Sequence, residues 1–262
     1  VSALTIAVLV KYVPDVQLER SFRADQPVLD RSNSILSELD EYAVEQAVQI
    51  AEANPGSTVT ALTMGPPEAE SALKKALQMG ADRAILLSDD ALAGSDAYAS
   101  ALALTEALRR IDGVNLVVTG MSSTDGETAL VPAQIAARLN FAPALFAAQV
   151  NYDGDALTYQ RERDNDSLTL SVPLPAVLSV TDQANEPRYP NFKAIMAARK
   201  KPLETWSLAE VGLDASQVGA AGSKTEVVSV AARGERGAGQ IVTDDGTAAA
   251  QLAEFLAAKK LI

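Results

Sequence analysis

Short apolar runs with no polar alternation recur through the first 180 residues, and stretches of helical periodicity separate them. This rhythm constrains the fold more than any other feature of the chain. Leu4–Val10 (LTIAVLV) is the first such run, and an unalternated, β-branched run predicts a strand covered on both faces. Ser37-Glu38-Leu39-Asp40 has the Ser-x-x-acid form of a helix start. Tyr42, Ala43, Ala47, Val48, Ile50 and Ala51 follow on one helical stripe, which stops at Asn54-Pro55-Gly56. Thr58–Thr63, Ala84–Leu87, Asn115–Thr119 and Leu145–Val150 predict further strands, with helices over Pro67–Met79, Ser95–Arg110 and Glu127–Arg138 between them. This alternation predicts an α/β fold, a mostly parallel, doubly wound sheet of βαβ units.

The rhythm then changes. Leu157–Arg163 and Ser167–Val172 alternate polar and apolar residues around Asp164-Asn165-Asp166, which predicts an added antiparallel hairpin, and Ala176–Val180 returns to a buried strand. The α/β core is therefore expected to span 1–183. In the next segment, 184–203, Arg188, Lys193, Arg199, Lys200 and Lys201 stand without an acidic neighbour from 188 onward, inside a chain of net charge −12. Tyr189, Phe192, Ile195 and Met196 are interleaved with them, a pattern suited to an apolar anchor ringed by steering charges. The remaining residues, 204–262, form a glycine-rich C-terminal arm. Its last stretch, Ala248–Lys260, places Leu252, Phe255 and Leu256 at helical spacing, so this terminal helix needs a surface to pack on, either this chain or a partner subunit.

Composition removes several function classes. The chain has no histidine and no cysteine, so His general bases, thiolate nucleophiles, disulfides and His or Cys metal sites are excluded, and no metal site is expected. The acidic balance argues against a nucleic-acid partner, which needs a basic face. Val1–Val10 ends at Lys11, short of the ~20 apolar residues that span a bilayer, and lacks the basic flank of a secretory signal. The chain starts at Val1 rather than Met, as expected of processing, truncation or another start codon, and a cytoplasmic location without membrane insertion is expected.

Open α/β sheets bind ligands where their strands end. Three loops fall there: Lys11 to Asp15, Met64-Gly65-Pro66, and Gly120-Met121-Ser122-Ser123-Thr124-Asp125-Gly126-Glu127-Thr128. The third offers backbone N–H groups and hydroxyls to a phosphate, yet a well-capped turn before a helix has the same composition. It matches neither the Walker A pattern nor the G-x-G-x-x-G fingerprint. The pairs Asp89-Asp90, Asp164/Asp166 and Asp244-Asp245 sit at turns and helix starts, where carboxylates serve as caps.

Six pieces, in order, carry a family resemblance: Val10 to Asp15, Asp40 to Glu45, Met64-Gly65-Pro66, Ala76 to Ala84, Gly120 to Asp125, and Asn185-Glu186-Pro187-Arg188-Tyr189 with Ile195 to Lys201. Together they resemble the small (β) subunit of electron-transfer flavoproteins of high-GC bacteria. The resemblance implies an adenine-nucleotide-binding α/β fold, an electron carrier rather than an enzyme, and a heterodimer with a larger α subunit. It implies FAD held mainly by that α subunit, and a structural AMP held by this chain. It also implies electron input from dehydrogenases such as acyl-CoA dehydrogenase and output to a membrane quinone oxidoreductase. By position, the cofactor-binding residues would be Leu9, Lys11, Ser37, Glu38, Leu39, Asp40, Met64 and the run from Gly120 through Thr128, Ala129, Leu130 and Val131. The partner-binding residues would be Arg188, Tyr189, Phe192, Ile195 and Met196, with Phe192 as the anchor. Leu39 stands where many relatives carry an aromatic near the flavin, and Met121-Ser122 replaces a Lys/Arg-Gln pair. Some members hold a second FAD in place of AMP and bifurcate electrons. The rival readings are a nucleotide-binding stress or regulatory protein, whose simpler domain lacks the hairpin, basic segment and arm, and an adenylating enzyme, whose Ser-Gly-Gly loop is missing here.

Overall fold

The computed structural model describes residues 3–22, 28–231, 237 and 239–262, so part of the glycine-rich stretch lies outside the described residues. The chain forms two compact units, Val1–Val228 and Ser229–Ile262.

The first unit opens with β1 (Thr5–Leu9), a short antiparallel pair β2 (Tyr12–Pro14) and β3 (Ser34–Leu36), and helix α1 (Glu38–Ala53). Then come β4 (Thr58–Met64), α2 (Glu70–Met79), β5 (Arg83–Leu87), α3 (Ala97–Arg109), β6 (Leu116–Gly120), α4 (Val131–Leu139) and β7 (Ala142–Ala147). An antiparallel meander of β8 (Gln149–Tyr152), β9 (Ala156–Glu162) and β10 (Ser167–Pro173) leads into β11 (Ala176–Val180). After α5 (Phe192–Ala198) the chain adds β12 (Leu203–Trp206) and a short α6 (Gly219–Gly222).

Seven of these strands form one sheet in the order β12-β5-β4-β1-β6-β11-β7, and every neighbouring pair is parallel. The lack of polar alternation has its reason here, because each strand feeds two cores. Ile6 and Val8 of β1 face α1 and α2 together with Val59, Leu116 and Leu178. Ala7 and Leu9 face the other side, with Leu62, Ile85 and Val117 beneath α3 and α4. The expected doubly wound architecture is the one observed.

Three features differ from the sequence expectation. The hairpin is one half of a three-stranded meander, because the expected strand Leu145–Val150 breaks at Ala148 between β7 and β8. The sheet does not end before residue 183. β12 pairs with β5 at its edge, and Trp206, Leu208, Val211 and Val218 fill the α3 side of the core. The third difference is the start of α4. Glu127 looked like a helix start, but Pro132 has no N–H to give and fits only the first turn, so the helix begins at Val131.

The second unit contains α7 (Ala248–Ala258), entered through a turn in which Asp244 and Asp245 accept from the Gly246 and Thr247 N–H groups. Leu252 and Phe255 on this helix are exposed. Among the described residues, no helix is long and apolar enough to cross a membrane.

Candidate functional site

β1 is the middle of the sheet. The chain leaves it toward β4 on one side and later crosses back to place β6 on the other, so the switch point lies between the carboxyl ends of β1 and β6. Leu9 is buried there at the end of β1, and the Lys11 backbone N–H donates to Asp40 Oδ2 at 2.8 Å. Gly120 closes β6 against the same carboxylate. A Cβ at residue 120 would lie 2.6 Å from Asp40 Oδ1 and 2.9 Å from the Leu39 carbonyl oxygen, so only glycine allows this approach.

Asp40 therefore does not act in a capping box. It ties the first turn of α1 to the strand ends, and the Ser37 hydroxyl, at the helix N-cap, makes no capping bond. Ser37 Oγ is fully buried and has no partner among the described residues. Thr63 Oγ1 at the end of β4, Thr124 Oγ1 and Gln134 Oε1 on α4 are buried and unpartnered too. Buried polar side chains normally find partners, so these orphans are open to a polar ligand.

Burial pushes the Asp40 carboxyl up to about 7, against the opposing pull of the Lys11 N–H and charge. The linkage has a definite sign. Unfolded Asp40 ionises near 3.8 and the folded group only near 7, so the folded state holds the extra proton in between. Its stability relative to the unfolded chain is expected to fall by about 1.4 kcal/mol per pH unit as pH rises through that window. Melting curves of the ligand-free chain between pH 5 and 8 measure this, and Asp40→Asn should flatten the slope. Parallel curves for parent and variant would contradict it.

The loop after Gly120 is built around a different carboxylate. Asp125, with a side chain only 2% exposed, pairs with Lys11 Nζ at 2.8 Å and with the Arg31 guanidinium. Burial alone would raise Asp125, but the two cations outweigh it and hold the carboxyl well below the usual carboxylate range. Arg31 also donates to the Tyr12 carbonyl, which fastens the β2–β3 excursion to this loop. Nothing in the sequence pattern marked Arg31, whose partner lies 94 residues away.

The loop then folds back on itself. The Gly126 and Glu127 N–H groups donate to Ser123 Oγ and the Ser123 carbonyl, and Glu127 and Ala129 adopt φ values of 50° and 52°. Left-handed backbone at two non-glycine residues in one loop stores strain of ~1–3 kcal/mol each, which clusters at binding loops. Because α4 starts at Val131, the hydroxyls of Ser122, Ser123 and Thr124 precede its N-terminus by several residues. Any anion here would meet the loop's own N–H groups rather than the helix end. Leu39, Met64, Met121, Ala129 and Val131 are half-buried at this edge, while Glu38, Gly126, Glu127, Thr128 and Leu130 are exposed. Beside Met121 a cavity of about 550 Å³ opens, lined also by Phe146, Arg161, Glu162, Thr181 and Gln183. No sequence signal marked it, since its walls come from two strands, β7 and β9, and from the loops after β6 and β11.

The second set of expected residues lies on α5 and the turn before it. Tyr189 is 90% and Phe192 77% exposed, Met196 is exposed, and Ile195 is half-buried. Phe192 therefore does not belong to the core. Arg188 was expected to face a partner, but it turns inward. Its Nε lies 2.7 Å from Glu45 and its Nη1 2.7 Å from Glu52, both on α1. Lys201 is also engaged, donating to the Leu77 and Ala81 carbonyls at the end of α2. Lys193, Arg199 and Lys200 remain exposed. The paired carboxylates cap turns: Asp89 accepts from the Ala91 N–H, and Asp166 holds Arg163. Among the described residues, no acidic cluster could hold a metal ion.

The sheet order is that of a doubly wound α/β fold, whose switch point lies at the carboxyl ends of β1 and β6. Residues 28–211 match the electron transfer flavoprotein domain. The chain is 41% identical over 263 residues to the electron transfer flavoprotein subunit beta of Mycobacterium bovis, covering 98% of this chain and 99% of that one. It is 35% identical to the subunit beta of Thermoanaerobacterium thermosaccharolyticum, covering 99% and 100%. It is 32% identical to the caffeyl-CoA reductase-Etf complex subunit CarD of Acetobacterium woodii, covering 98% and 97%. The chain belongs to the electron-transfer flavoprotein family, as one of its β subunits.

Proposed function

We propose that this chain is the electron-carrying partner of a larger α subunit, which holds FAD mainly by itself, and that AMP occupies the switch-point edge described above. Electrons arrive from dehydrogenases such as acyl-CoA dehydrogenase and leave to a membrane quinone oxidoreductase. FAD, when bound, supplies the redox step, and this chain contributes placement and electrostatics without bond chemistry of its own. The observation that carries the AMP assignment is the pair of buried, unpartnered hydroxyls, Ser37 Oγ at the N-cap of α1 and Thr124 Oγ1 in the loop after Gly120. Lys11 and Arg31 are already neutralised in part by Asp125. The phosphate meets the loop N–H groups and the hydroxyls of Ser122, Ser123 and Thr128 beside the net positive charge of Lys11 and Arg31, while Leu9, Met64, Thr124 and Ser37–Asp40 line the rest of the nucleotide.

Residues 184–203 form the surface for the dehydrogenase, with Phe192 as the side chain that enters its pocket. The arm beyond Val228, with the exposed Leu252 and Phe255 of α7, grips the α subunit. A second reading, with FAD in place of AMP and electron bifurcation, draws on the likeness to the Acetobacterium complex subunit. Counting released cofactors tests both. The denatured α–β heterodimer is expected to release one AMP and one FAD. Two FAD and no AMP would establish the second reading, and no nucleotide beyond one FAD would overturn the site assignment.

A further inference from the structure

The ends of the segment that carries Phe192 are fixed to two helices by charged groups. At its start, Asn185 Nδ2 donates to the Tyr42 carbonyl at 3.0 Å, and the Arg188 backbone N–H donates to Glu45 Oε2 at 3.1 Å. The guanidinium then spans two carboxylates at once. Nε and Nη2 reach Glu45 at 2.7 and 3.1 Å, and Nη1 and Nη2 reach Glu52 at 2.7 and 3.0 Å. Glu45 and Glu52 stand seven residues apart on α1 and share a face, with Gln49 between them donating to Glu45. Glu45 is 4% exposed. Burial would raise its carboxyl, but the Arg188 hydrogen bonds outweigh this and hold it below its ordinary range. A buried carboxylate of this kind fixes its cation, since leaving it unpaired is costly.

Only three residues separate Arg188 from α5. Pro190 is buried and limits the backbone, and Asn191 caps the helix by accepting from the Ala194 N–H at 2.9 Å. At the far end, the Lys201 ammonium donates to the Leu77 and Ala81 carbonyls at 3.1 and 2.6 Å. Between these two points stand the most exposed aromatics of the segment, Tyr189 and Phe192. An aromatic presented in a fixed position loses less freedom on docking than one on a loose loop.

We infer that Arg188 is a positioning residue: it does not touch the dehydrogenase, but its hold on Glu45 and Glu52 fixes Tyr189 and Phe192 in the geometry that docks. This rests on the proposed role of Phe192 in dehydrogenase binding.

The test uses the flavin-loaded α–β heterodimer and an acyl-CoA dehydrogenase as electron donor. Arg188→Gln is expected to raise the KM for the heterodimer about five- to tenfold with kcat at saturation unchanged. Flavin content and the rate of flavin reduction by dithionite should stay at parent values. Arg188→Lys keeps the charge but cannot span both carboxylates, so it should behave like Arg188→Gln. Recovery of the parent KM in Arg188→Lys would overturn the inference in favour of simple charge steering. Glu52→Gln removes the outer, exposed half of the grip without disturbing buried Glu45, and should raise KM two- to threefold even if the Arg188 variants fold poorly. An unchanged KM in Glu52→Gln would also overturn it. In a Phe192→Ala background, Arg188→Gln should add less than a twofold effect, because the two residues act through one contact, and fully multiplicative effects would contradict this. If Phe192→Ala alone leaves KM unchanged, the docking role of the segment fails first. If it raises KM while the Arg188 and Glu52 variants do not, only the positioning role fails.

Discussion

Gly120→Ala is expected to lose bound nucleotide and to melt roughly 6–12 °C below the parent, taking ~2–4 °C per kcal/mol for a unit of this size. The added Cβ would meet Asp40 Oδ1 at 2.6 Å and the Leu39 carbonyl at 2.9 Å. Neither can retreat easily: Asp40 is held by the Lys11 N–H, and Leu39 is backbone in the first turn of α1. Overpacking of this kind costs about 3 kcal/mol. It also pushes α1 away from the end of β6, which widens the edge proposed to hold AMP. Gly126→Ala is the matched control. Its Cβ would meet only Ser123 Oγ at 3.2 Å and the end of Lys11 at 3.9 Å, so it should shift melting by a few degrees at most. Calorimetry with nucleotide quantification separates the two, and equal effects would show that the close approach at Gly120 is not what shapes the edge.

Phe192→Ala should lower electron transfer from the dehydrogenase about tenfold or more while leaving melting temperature and flavin content unchanged. The side chain is 77% exposed in the chain, so its removal opens no cavity and takes nothing from the core. Its value is in the complex, where losing a buried aromatic anchor costs ~2 kcal/mol, and tenfold corresponds to about 1.4 kcal/mol. The exposed Lys193, Arg199 and Lys200 should act on the encounter rate instead, so charge removal there should weaken with added salt while the Phe192 effect persists. Stopped-flow measurement at two ionic strengths reads both. A loss of stability with unchanged transfer would return Phe192 to a structural role.

The fold was legible because the strands of the parallel sheet are buried on both faces and show as short runs with little polar alternation, as Ala176–Val180 did to the residue. β12 was not, because Leu203–Trp206 is a half-exposed edge strand whose Glu204 and Thr205 break the run. The site was legible as a location, the carboxyl ends of β1 and β6, but less so as chemistry. Ser37 and Asp40 fit a capping box by spacing, and only the sheet shows that Asp40 is claimed by Lys11. Arg31 and Asp125 meet from 94 residues apart, and no local pattern encodes such a pair. Arg188 belonged to a run of basic residues and read as one of a set. Its two carboxylates sit on a helix that ends more than 130 residues earlier in the chain.

The position of β11 bears on how the sheet can assemble. This strand lies between β6 and β7, although β7 is made before it. A growing chain that has emerged only as far as β10 cannot join β7 to the sheet, because the strand that connects them does not yet exist. Until then β6 is an open edge, apolar but for Thr119, the kind of surface that recruits another chain. β12 leaves β5 open at the opposite edge until later still. The two borders of the sheet thus close only once β11 and β12 have been made, through pairings distant in sequence, and such pairings form slowly. Folding during translation should therefore stall in a state with two exposed edges, and the yield of this chain should depend on what shields them in that interval.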